Sequence, residues 1–96
     1  MPAQIVIVHD DQDFADCLTT ILRTAGYDTA SYIDPIAALS ALDQAQRMKL
    51  LITRVEFAEG RSNGVSLALV ARRRVPGVKV LFVSKEDYRE AANAQA

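Results

Sequence analysis

Residues Gln4–Asp11, QIVIVHDD, are the stretch on which the fold turns. Ile5, Val6, Ile7 and Val8 form an unbroken β-branched run, the pattern of a strand covered on both faces inside a parallel sheet. The run stops at two carboxylates, Asp10 and Asp11, and a helix is expected from about Gln12. Phe14, Cys17, Leu18, Ile21, Leu22 and Ala25 recur at helical spacing and are read as its buried face. On that reading Cys17 is an inert core thiol. Gly26 is placed to end the helix as a C-cap residue.

The same alternation continues toward the C-terminus. Tyr27–Ile33 (YDTASYI) is a shorter and more polar strand, suited to a sheet edge. Asp34-Pro35 opens a second helix, with Asp34 as N-cap and Pro35 in the first helical position. Ile36, Leu39 and Leu42 mark its apolar side. Leu50–Val55 (LLITRV) is a third strand, Glu56–Asn63 a polar loop, and Gly64 starts a third helix that runs to about Arg74. Pro76-Gly77 breaks it, and Lys79–Val83 (KVLFV) reads as a fourth strand of the buried type. Residues 84–96 form a helical tail, with Ser84 and Asp87 spaced as a capping box.

Strands alternating with helices imply right-handed βαβ units and a parallel sheet. The expected fold is a doubly wound, flavodoxin-like α/β sheet in one domain spanning residues 1–96, with residues 85–96 as its tail. At 96 residues there is no room for a second domain. Eleven Lys+Arg against twelve Asp+Glu leave a formal charge of −1, without the basic excess of a dedicated nucleic-acid binder. No run approaches the ~20 apolar residues of a membrane span, and the first residues lack a signal-peptide pattern. Cys17 is the only cysteine, so no internal disulfide can form. A reducing, cytoplasmic setting is expected.

Function in such sheets gathers at the carboxyl ends of the strands. There the chain places Asp10 and Asp11, then Arg54, then Ser84. Adjacent carboxylates are oxygen donors of the kind a hard divalent cation prefers. They serve equally well as helix caps, favoured by the positive end of the helix dipole.

IVIVHDD, AGYDTASY, the DP and AAL of residues 34–39, LLITRVEFAEGRSNGVSLA and PGVKVLFVS together resemble the receiver domain of two-component response regulators, of the chemotaxis-regulator kind. The resemblance covers nearly the whole chain. It implies strand order 2-1-3-4 and makes Asp10 and Asp11 the pair that holds magnesium. It makes the residue at Arg54 the phosphoacceptor aspartate, and Ser84 the hydroxyl that senses the phosphoryl group.

Two departures set what is expected of this chain. The acceptor position carries Arg54, whose guanidinium is permanently charged and has no nucleophilic oxygen. Ala58 also stands where the family usually has proline. An ion pair from Arg54 to Asp10, Asp11 or both would then take the place of the metal, and magnesium binding would be lost or weak. At ~4 Å and an effective dielectric of about 20 such a pair attracts by ~4 kcal/mol before desolvation. The second departure is at the C-terminus, where the fifth strand–helix unit of the family is missing. The family's lysine at the end of that strand has no counterpart, Lys85 being too early. Val80, Leu81, Phe82 and Val83 then become an apolar sheet edge that, with Tyr88 of the tail, invites homodimerisation.

The remaining polar groups have simpler readings. His9 is a lone strand-end histidine rather than a phosphate carrier. Glu56 and Glu59 are solvated loop charges, although either would be the acceptor if an unconventional carboxylate took the phosphoryl group. Gly60–Gly64 lacks the spacing and lysine of a phosphate loop. Arg72, Arg73 and Arg74 complement the helix dipole. Ser84, with no phosphoryl group to sense, is read as a cap. The expectation is a degenerate receiver that works by contact with a signalling protein, without turnover, cofactor, membrane or nucleic acid. A small flavodoxin-like nucleotide binder is the weakest rival, because the acidic HDDQD loop repels phosphate.

Overall fold

A computed structural model describes residues 4–42, 48–55 and 64–83. The elements follow in the order β1 (Ile5–Val8), α1 (Gln12–Thr24), β2 (Thr29–Tyr32), α2 (Pro35–Leu42), β3 (Leu50–Arg54), α3 (Gly64–Arg74) and β4 (Lys79–Val83). The four strands are all parallel, in the order β2-β1-β3-β4. β1 is central because all four of its residues are buried, as its uniform β-branched run requires. Among the described residues the more polar β2 takes one edge and β4 the other.

Strand parity sorts the core into two layers. Val6, Val8 and Leu51 face α2 and α3, where Ala38, Leu42, Leu67 and Ala71 meet them, with Val78 of the α3–β4 connection in the same cluster. Ile5, Ile7 and Ile52 face the other way, against Ala15 of α1 with Leu18 and Leu22 partly covered beside it. Helix ends follow local chemistry. Asp34 accepts from the Ile36 N–H at 2.8 Å, as expected of an N-cap before proline. Gly26 takes φ = 100° at the end of α1, with Gly26 N–H donating to Arg23 and Tyr27 N–H to Leu22, the two bonds of a Schellman cap.

The burial of α1 differs from the expected face. Phe14, Cys17, Ile21 and Ala25 are exposed, Ile21 at 57%, while Ala15 and Thr19 are buried. The small Ala15 lets the helix backbone approach the sheet. Thr19 tolerates burial because its hydroxyl donates to the Ala15 carbonyl at 2.6 Å. Cys17 is therefore a surface thiol. In α2 Leu42 is buried and Leu39 packs against the core as the apolar pattern implies, together with Pro35 and Ala38, but Ile36 is 63% exposed. β4 is not a covered strand either. Leu81 is 52% and Phe82 40% exposed, with Val80 and Val83 half-buried.

One glycine locks the sheet to α3. A Cβ on Gly64 would lie 1.7 Å from the Arg54 carbonyl oxygen, and the Gly64 N–H donates to Val55 at 2.8 Å. The obstacle is backbone, so it cannot rotate away. Gly64→Ala is expected to cost about 3 kcal/mol or more. Gly26→Ala, strained only by its φ, is expected to cost ~1–2 kcal/mol. Urea unfolding midpoints of the two variants check this order.

Candidate functional site

The carboxyl ends of β1 and β3 lie side by side, since Val8 pairs with Thr53. Asp10 and Arg54 each lie just beyond that pair, and the Arg54 Nη1 donates to Asp10 Oδ1 at 2.5 Å. Their side chains are 17% and 26% exposed, so the pair is partly withdrawn from water and is screened less than a surface pair. The Arg54 Nε is buried and has no hydrogen-bond partner among the described residues.

Asp11 has a different task. Its carboxylate accepts from the Phe14 N–H at 3.2 Å as the N-cap of α1. Its own N–H donates to His9 Nδ1 at 3.0 Å. His9 is buried, with its ring 4.4 Å from that of Phe14. Because Nδ1 accepts a backbone N–H, the ring carries no proton there, and the 3.9 Å approach of Nδ1 to Asp10 Oδ1 is not an ion pair in this state. His9 thus holds the turn that presents Asp10 to Arg54. That duty is not visible in the sequence, because it depends on which way the β1–α1 turn folds.

The two carboxylates at this turn are engaged differently. One carboxylate meets a guanidinium and the other caps a helix, and no group of three or more His, Cys, Asp or Glu among the described residues is placed to hold a metal. Gly64 is the second feature that sequence reasoning missed. Asn63-Gly64 signals a helix start, but only the folded chain shows that the glycine presses on the carbonyl of Arg54.

Other expected residues fall elsewhere. Arg72, Arg73 and Arg74 are exposed in the last turn of α3, which leads to the amino end of β4, the pole opposite the Asp10–Arg54 pair. Val80, Leu81, Phe82 and Val83 lie in β4, the outermost strand on that side of the sheet among the described residues. Ser84, Lys85, Tyr88, Glu56, Ala58, Glu59 and residues 60–63 lie outside the described residues. No described helix is long and apolar enough to cross a membrane.

No protein-family model matches the sequence. Solved structures do match the fold. The receiver domain of the hybrid histidine kinase CckA has a TM-score of 0.73 and 23% identity, over 95% of this chain and 94% of that one. A response regulator receiver protein from Sinorhizobium medicae has a TM-score of 0.80 and 19% identity, over 99% and 76%. The Vibrio cholerae chemotaxis protein CheY4 has a TM-score of 0.79 and 20% identity, over 97% and 77%. With the strand order 2-1-3-4 and helices on both faces, this chain has the fold of the response regulator receiver domains of two-component signalling.

Proposed function

We propose that this chain is a receiver-like module that works without phosphorylation, by contact with a protein of a cytoplasmic two-component-type pathway. The observation that carries the proposal is the 2.5 Å contact between Arg54 and Asp10. A fixed cation from the chain itself occupies the acidic turn where receiver domains resembling this one load magnesium. The position that would accept a phosphoryl group offers a charged guanidinium, which cannot form an acyl phosphate. No turnover and no cofactor are required of the module.

The ion pair also has a structural consequence. A receiver that switches must trade one arrangement of its β3–α3 region for another when its charge changes. Here that charge is permanent, and Gly64 fastens the start of α3 to the backbone of Arg54. The module is therefore read as held in one state, with partner choice set by its surface. Its exposed fourth strand, with Leu81 and Phe82 on opposite faces, supports self-association through that region.

Three measurements test the proposal. Titration calorimetry of the unaltered protein is expected to give no magnesium binding at micromolar levels, and Arg54→Asp is expected to gain it; micromolar binding by the unaltered protein would refute the internal ion pair. Incubation with acetyl phosphate is expected to leave the intact mass unchanged. A phosphoryl increment mapped to Glu56, Glu59 or another carboxyl group would instead establish the unconventional-acceptor reading. Arg54→Ala should destabilise the fold by ~1–3 kcal/mol, because it leaves Asp10 partly buried without its cation; a urea midpoint equal to that of the unaltered protein would count against a structural role.

A further inference from the structure

The two outer strands of the sheet present different backbone edges. On β2, Tyr32 accepts from the His9 N–H at 3.0 Å, so by the alternation of a parallel ladder Thr29 and Ser31 turn their backbone groups outward. The outward Thr29 carbonyl is already taken. The Arg23 Nε and Nη2 both donate to it, at 3.1 and 2.8 Å. A charged head held in the line of a further strand is a device that keeps an edge from pairing.

On β4 no described side chain takes that position. The Lys79 N–H donates to the Lys49 carbonyl at 3.0 Å, which turns the backbone groups of Lys79, Leu81 and Val83 toward β3. Those of Val80 and Phe82 therefore point outward. Leu81 pairs with Ile52 and Phe82 with Thr53, so the two side chains leave opposite faces of the sheet. Both are exposed, which shows that neither α1 nor α3 overhangs this strand. KVLFV also holds no proline, glycine or acidic residue. Its outward backbone groups fit an extended strand, and its two faces fit apolar side chains.

The sequence KEDYREAANAQA of residues 85–96 does not suit that role. It is rich in Ala, Glu and Asn, which are depleted in strands, and a parallel return would use about a dozen residues in the crossover alone. KVLFV, by contrast, is complementary to itself. We propose that two copies of this chain join their β4 edges antiparallel, about a two-fold axis normal to the sheet at Leu81, and make one continuous sheet. In the register that pairs all of Lys79–Val83, Val80 of each copy lies opposite Phe82 of the other and exchanges both backbone bonds with it. Every outward group of β4 is then used. The same pairing sets an aromatic against a β-branched side chain on one face. On the other face Leu81 meets Leu81, with Cα atoms about 4.5 Å apart. Lys79 falls opposite Val83, so no like charges meet. The proposal rests on the reading that the module acts by protein contact through its fourth-strand region, and it assigns that contact to the backbone edge.

Cysteine placement tests the register, in a Cys17→Ser background that removes the only native thiol. Position 81 alone faces its own copy, so Leu81→Cys is expected to give a disulfide-linked dimer on mild oxidation, and Val80→Cys to stay unlinked. Phe82→Pro removes an outward N–H that β3 does not use, a place where an edge strand tolerates proline. It should abolish the dimer seen by light scattering at tens of micromolar, with an unchanged circular dichroism spectrum. Leu81→Lys, which sets two like charges across the axis, should do the same. A dimer that survives both variants and gives no link through Leu81→Cys overturns edge pairing but leaves self-association intact. A link through Val80→Cys in place of Leu81→Cys overturns the proposed pairing. A monomer at tens of micromolar overturns both the edge and self-association, while the magnesium titration still decides the role of Arg54.

Discussion

The parallel pairing of β1 with β3 is the constraint from which the rest of the molecule follows. It places Val8 beside Thr53, and so brings together Asp10 and Arg54, which are 44 residues apart in the chain. Neither side chain could hold the other in an unfolded chain, where a loop of that length opposes their meeting by entropy. The sheet meets that cost through the burial of Ile5, Val6, Ile7 and Val8, and the ion pair forms on a frame already made. Stability lies in the apolar strands, and the charge pair joins their carboxyl ends.

Around that pair the polar groups divide their work. Asp11 caps α1, His9 accepts the Asp11 N–H from below, and Phe14 covers the His9 ring. The turn is thus held from three sides while Asp10 meets Arg54. On the far side, Gly64 touches the Arg54 carbonyl so closely that no other residue fits. Arg54 is restrained through both its side chain and its backbone.

The outer layers show how far side-chain size misleads. Phe14, Cys17 and Ile21 dominate the apolar pattern of α1, yet Ala15 and Thr19 are the residues against the sheet. Periodicity locates an apolar stripe but not the axis about which the helix is finally turned. That turn is set by how near the backbone can come to β1, and alanine allows the nearest approach. The large side chains Phe14 and Ile21 are left exposed on a flank.

Much of this protein can be read from its residues without coordinates. The β-branched run of β1, Asp34-Pro35, Gly26 and the alternation of apolar segments determine a parallel α/β sheet and its helix ends, because these are local preferences and patterns of burial. Arg54 likewise excludes an acyl phosphate at its position by composition alone. Only the tertiary structure decided that the guanidinium meets Asp10 while Asp11 caps a helix, that His9 orders the turn, and that α1 shows Ile21 to the outside. Each of these depends on the relative placement of elements far apart in sequence, which packing sets and no local pattern encodes.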